Sequence, residues 1–114
     1  MGIQMEIIRQ GAVEVITIAE AMSGDFVDAL TEQLAAIGKS GVPRVAINLH
    51  EVPLFDSKAL ETLLDAKEEY ERRGGALKLV APTDLCREIL DVTGLMDEFE
   101  ILADTKSAVG SFAK

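Results

Sequence analysis

The chain has 114 residues, 48% of them apolar, enough for one domain with its own core and too few for two. Its 20 acidic residues against 11 basic ones give a formal charge of −9, a surface that repels phosphate backbones and anionic membranes, attracts basic protein surfaces, and at the least keeps the chain in solution. The single cysteine, Cys86, rules out an internal disulfide, and 4% aromatics with no Trp argue against stacking on single-stranded nucleic acid. Neither nucleic acid nor membrane is therefore an expected partner. No apolar run approaches the roughly 20 residues that cross a bilayer. Met1 to Gln10 carries Glu6 and Arg9 and lacks the pattern of a signal peptide, so the expected location is the cytoplasm.

Taken in chain order, Met5 to Arg9 and Val13 to Ile18 are β-branched and apolar around Gly11, which predicts a hairpin. Ser23-Gly24-Asp25 suits a helix start. Phe26, Leu30, Leu34 and Ile37 then trace one helical face, with Gly38, Gly41 and Pro43 marking the exit. Arg44 to Leu49 reads as a strand buried on both faces, followed by a loop from His50 to Phe55.

A second helix is expected from Asp56 or Ser57, with Leu60, Leu63, Leu64, Lys67 and Tyr70 inward. Its outer face offers Glu68 to Arg72 and Glu69 to Arg73 at i,i+4, and Gly74-Gly75 ends it. Ala76 to Ala81 is a short strand stopped by Pro82. Thr83 or Asp84 can cap a third helix whose Leu85, Ile89, Leu90 and Val92 are available to the core, and Gly94 with Leu95 suits its C-terminal cap. Glu98 to Leu102 predicts a last strand, and Asp104 opens a terminal helix with Ala108 and Phe112 inward.

The resulting order is β-β-α-β-α-β-α-β-α. It implies one α/β domain over residues 1–114, with a mixed, mainly parallel five-stranded sheet, four helices and right-handed crossovers. The first strand runs antiparallel to the second because a tight turn joins them.

The stretch Leu54-Phe55-Asp56-Ser57-Lys58-Ala59-Leu60 carries the functional signal. A strand end delivers an Asp and a Ser to a helix N-terminus, where unpaired N–H groups and partial positive charge are exposed. Open α/β sheets meet their ligands and partners at the carboxyl ends of the strands. Asp56 and Ser57 are both favoured N-caps, worth about 1 kcal/mol. Capping and phosphorylation are compatible roles, since a phosphate there finds donors already in place.

Here the sequence resembles the STAS domain family, specifically the bacterial anti-sigma factor antagonists. The resemblance covers nearly the whole chain. Its marks are Arg44-Val45-Ala46-Ile47-Asn48-Leu49 followed by Val52-Pro53-Leu54-Phe55-Asp56-Ser57, then Gly74-Gly75-Ala76-Leu77-Lys78-Leu79-Val80, then Ile89-Leu90-Asp91-Val92-Thr93-Gly94-Leu95. The resemblance implies a non-enzymatic switch. Ser57 would be phosphorylated by an anti-sigma factor with a histidine-kinase-like ATPase fold and dephosphorylated by a PP2C-type phosphatase. The unmodified form would bind the anti-sigma factor through Asp56, Ser57, Lys58 and Glu61, and the free protein would be a monomer. Where the family commonly reads Asp-Ser-Ser-Gly-Leu or Asp-Ser-Thr-Gly-Leu, this chain has Lys58 and Ala59. Lys58 puts a cation beside Ser57 that could pair with a phosphate, in a first turn whose dipole opposes it.

Two other functions fit the same stretch. One is a STAS accessory or regulatory subunit, of a lipid-transport complex or another signalling assembly, that docks without phosphorylation. The other is a small hydrolase built on Ser57 with His50 and Asp56, although the nucleophile-elbow pattern is missing. His50 is the only histidine and cannot assemble a usual zinc site by itself. No phosphate-loop pattern follows Gly74-Gly75, so no cofactor is expected. Cys86 reads as a buried small side chain, with a helix N-terminus that could lower its pKa as the alternative. Asp97, Glu98 and Glu100 with Met96 and Phe99 form an acidic patch that is either partner surface or a solvated strand end.

Overall fold

The computed structural model describes residues 5–39 and 41–112. Strands β1 (Met5–Gln10) and β2 (Val13–Ile18) form the expected hairpin, paired from Met5↔Ile18 to Gln10↔Val13 with Gly11 and Ala12 as a two-residue loop. Helix α1 (Asp25–Gly38) leads to β3 (Arg44–Asn48), α2 (Ser57–Arg72) to β4 (Ala76–Val80), and α3 (Asp84–Val92) to the short β5 (Ile101–Leu102). Helix α4 (Thr105–Ser111) follows. The strands lie in the order β1-β2-β3-β4-β5, with the first pair antiparallel and the other three pairs parallel.

This sequential order has a direct consequence. Right-handed crossovers between neighbouring parallel strands all return on one face, so α1, α2 and α3 form a single layer. The larger core fills the space under them. Ile16, Ile18, Val45, Ile47, Leu77 and Leu79 from the sheet meet Phe26, Leu30, Leu34, Leu60, Leu63, Tyr70, Cys86 and Leu90 from the helices. On the opposite face α4 covers a smaller cluster of Val13, Val15, Ala46, Val80 and Ala108, with Phe112 packed against it. Lys78 is buried on this second face. Its Nζ donates to Ser111 Oγ at 2.8 Å, pairs with Glu100 at 3.2 Å and lies 4.4 Å from the Phe112 ring centroid. A buried ammonium needs such partners, and these fasten α4 to the sheet.

Helix ends follow their local signals. In α2 the Gly74 N–H reaches Glu71 O at 3.1 Å and the Gly75 N–H reaches Tyr70 O at 2.8 Å, the paired bonds of a Schellman motif, with Gly74 at φ 83°. Gly75 has a separate reason: a Cβ there would sit 1.8 Å from the Pro43 carbonyl oxygen. Helix α3 ends in the same motif, through Gly94 N–H to Asp91 O and Leu95 N–H to Leu90 O.

Three expectations are corrected. Leu85 and Val92 point outward, at 46% and 74% exposure, because Cys86 and Leu90 at i,i+4 take the sheet-facing stripe of α3. The ion pairs on α2 are Arg72 with Glu69 and Lys67 with Glu71. Arg73 is the C-cap residue and has left the helical path, so it donates instead to Gly41 O at 3.2 Å. The segment read as a strand from Glu98 is a 3-10 turn over Met96–Glu98, and only Ile101–Leu102 pairs with β4. Phe99 lies buried between them, 5% exposed.

Candidate partner-binding site at the start of the second helix

Because β2 and β3 are parallel neighbours, their carboxyl ends release two loops side by side. The loops are stitched together by an isolated parallel bridge between Met22 and Phe55, both buried. The Met22 N–H donates to Leu54 O and the Asp56 N–H to Met22 O, each at 3.0 Å. The starts of α1 and α2 are thereby held at a fixed spacing on the same edge of the molecule.

Asp56, not Ser57, is the N-cap of α2: its backbone is extended (φ −97°, ψ 177°), and Oδ1 accepts the Ala59 N–H at 2.8 Å. Its second oxygen, Oδ2, accepts the Gly24 N–H at 3.3 Å. Both carboxylate oxygens are therefore engaged by backbone donors. That leaves Ser57 as the first helical residue, exposed, its hydroxyl without a hydrogen-bond partner among the described residues. The fold does not use this oxygen.

Lys58 is also exposed, and its ammonium lies 2.6 Å from Asp28 Oδ1 on α1. The Asp28 carboxylate, by hydrogen bond and by charge, holds the Lys58 pKa above its ordinary value, with smaller contributions from Asp56 and Asp25. Glu61 stands one turn further along α2, exposed on the helix that Ser57 begins. Pro53 and Leu54 form an exposed apolar tip just before Phe55, Leu54 at 36% exposure. The surface thus combines a free hydroxyl, a cation, several carboxylates and an apolar tip, all presented by two helix starts. Pro53, Leu54, Ser57 and Lys58 are all exposed on it. A groove of about 420 Å³ runs between α1 and α2 beside Leu34, Ala35, Ala66 and Tyr70, further along both helices.

The remaining candidates fall elsewhere. His50 is exposed, and its Nδ1 lies 3.9 Å from Glu51. With Asp56 committed to Ala59 and Gly24, no Ser57, His50, Asp56 triad is assembled. Cys86 is buried, its thiol donating to Val52 O at 3.3 Å, and burial pushes its pKa up rather than down. Thr83, the N-cap of α3, donates to the same carbonyl at 2.9 Å. In the acidic patch Phe99 is core and Glu100 pairs with Lys78. No group of three or more His, Cys, Asp or Glu among the described residues could hold a metal ion. No described helix is long and apolar enough to cross a membrane.

Sequence reading did not include Asp28 or Gly24 in the site. That α1 and α2 are neighbours follows from the sequential strand order, which periodicity does not supply. Which residues meet across that boundary depends on the helix rotations, which a single sequence does not state.

Fold and site define a small α/β domain that presents two helix starts side by side at the carboxyl edge of its sheet. The family model for the STAS domain matches residues 4–108, and the chain belongs to the STAS domain family. Among solved structures, an anti-sigma factor antagonist from Mycobacterium paratuberculosis superposes with a TM-score of 0.86 at 20% identity, over 99% of this chain and 96% of that one. The anti-sigma factor antagonist SpoIIAA in its unphosphorylated form gives 0.80 at 19% identity over 92% of each chain. The phosphorylated form of this Bacillus protein gives 0.76 at 16% identity, over 94% of this chain and 97% of that one. A sulfate transporter family protein from Wolinella succinogenes gives 0.78 at 19% identity, over 93% and 88%. At these identities the likeness is one of fold. A search of curated proteins finds no match.

Proposed function

We propose that this STAS domain is an anti-sigma factor antagonist acting by partner switching in the cytoplasm, with no catalytic role and no cofactor of its own. Unmodified, it binds an anti-sigma factor with a histidine-kinase-like ATPase fold through Asp56, Ser57, Lys58 and Glu61. That partner transfers the γ-phosphoryl group of ATP to Ser57 Oγ. The new O–P bond replaces the bond to the β-phosphate oxygen, ADP leaves, and the hydroxyl proton passes to solvent. A PP2C-type phosphatase reverses the step with water, releasing inorganic phosphate. Neither nucleic acid nor membrane takes part, and the free protein is a monomer.

The observation that carries this reading is the free Ser57 hydroxyl, exposed at the first position of a helix that Asp56 already caps. A phosphate there adds about −1.5 to −2 charges without breaking any bond of the fold. A partner surface fitted to a neutral hydroxyl would then have to desolvate a dianion beside Asp56, which excludes it. The existence of SpoIIAA in unphosphorylated and phosphorylated forms on the same fold supports the reading. Incubating the protein with a histidine-kinase-like anti-sigma factor and ATP should add one phosphate by intact mass. The gain should vanish in Ser57→Ala.

A second reading is docking without phosphorylation, as a regulatory or accessory subunit. The transporter-family neighbour supports it, and the same helix face would serve. A wild-type protein that stays unmodified while still binding its partner would favour this alternative.

A further inference from the structure

We infer that Lys58 exchanges ion-pair partners when Ser57 is phosphorylated, leaving Asp28 on α1 for the phosphate on α2, so that the switch surface spans both helices. This rests on Ser57 being the modified residue, as proposed above. The starting pair is direct: Lys58 Nζ lies 2.6 Å from Asp28 Oδ1, between residues 30 positions apart. It is also exchangeable. The side chains are 53% and 61% exposed, and solvated ion pairs are weak.

Lys58 is the only lysine or arginine between Arg44 and Lys67, so no other cation in that stretch can meet a charge on Ser57. Asp56 already accepts the Ala59 and Gly24 N–H groups through its two oxygens, and its effect on Lys58 is the smaller one of charge. A phosphate on the adjacent residue carries up to about twice the charge of Asp28, on three acceptor oxygens. Neighbouring helical side chains diverge by about 100°. The four-carbon lysine stem is flexible, however, and the half-exposed ammonium has room to swing. Once it does, Asp28 stands unpaired beside Asp25 in the first turn of α1. A docked partner then meets altered charge on two helices although only one residue was modified and no backbone moved.

The test installs phosphoserine directly at position 57 during translation, so no kinase is needed, and follows titration of the Lys58 ammonium by carbon-13 NMR. Unmodified and phosphorylated proteins are compared, each with and without Asp28→Asn. In the unmodified protein Asp28→Asn should lower the Lys58 midpoint. In the phosphorylated protein the midpoint should lie higher than before, and Asp28→Asn should no longer move it. An equal drop in both backgrounds, or no drop in the unmodified one, overturns the exchange. Backbone amide spectra of the Asp28→Asn proteins report whether the fold is intact. A kinase that fails to label Ser57 would count against the proposed function and leave this result standing.

Discussion

Asp56 reaches from α2 to Gly24 at the start of α1, accepting its N–H through Oδ2 at 3.3 Å while Oδ1 caps α2 through Ala59 at 2.8 Å. One carboxylate thus satisfies donors of two helix starts and sets the spacing of the surface on which Ser57 and Lys58 sit. Removing it should cost more than an ordinary cap. We expect Asp56→Ala to destabilise the domain by about 1–3 kcal/mol, the sum of a lost cap and a charge-assisted bond to Gly24. Asp56→Asn, which keeps acceptor oxygen at the cap, should lose clearly less. Urea unfolding measures both; equal losses would show that the retained cap oxygen contributes nothing and that the charge and the Gly24 bond account for the whole loss.

Ser57 should separate stability from switching. Its hydroxyl has no hydrogen-bond partner among the described residues, and alanine is the better helix former. Ser57→Ala should therefore leave the unfolding free energy within about 0.5 kcal/mol while abolishing phosphate acceptance. Ser57→Asp should weaken binding to the anti-sigma partner. Calorimetric titrations giving equal affinity for wild type and Ser57→Asp would count against exclusion by charge.

The orientation of the second and third helices is open to a paired measurement. Leu63 is fully buried whereas Val92 is 74% exposed. Leu63→Ala should cost about 2–5 kcal/mol, and Val92→Ala should stay within about 0.5 kcal/mol. A large loss for Val92→Ala would restore the inward orientation that the α3 pattern suggested.

Tyr70, the sole tyrosine, ties α2 to α1 by donating its hydroxyl to Leu34 O at 2.6 Å. Burial pushes its pKa up to about 12, against a small opposing effect of Arg73. The unfolded chain titrates near the ordinary value of about 10. The native state therefore keeps its proton where the unfolded state loses it. The stabilisation associated with this shift is complete below about pH 10 and is lost as pH rises towards about 12. Ultraviolet absorbance should show the phenolate appearing near pH 12 in native protein and near pH 10 in urea. A native midpoint near 10 would mean the hydroxyl is solvated. Tyr70→Phe should cost about 1 kcal/mol.

The sequence alone determined the element order, the hairpin around Gly11, the glycine-ended second and third helices, and the delivery of Asp56 and Ser57 to a helix start. Each of these is decided within a turn or two of chain, by alternation, caps and backbone preference, so one sequence suffices. It was also enough to point to the family.

Only the tertiary structure decided the rest. The apolar residues of α3 offer two stripes, one through Leu85 and Val92 and one through Cys86 and Leu90, and the sheet covers the second. Arg73 turned from Glu69 to Gly41 because its backbone had already left the helix. Asp28 met Lys58, and Gly24 met Asp56, across about 30 residues of intervening chain. Such contacts depend on how far each helix is rotated about its axis when it docks. That rotation is set by packing of the whole layer against the sheet, and no local pattern encodes it.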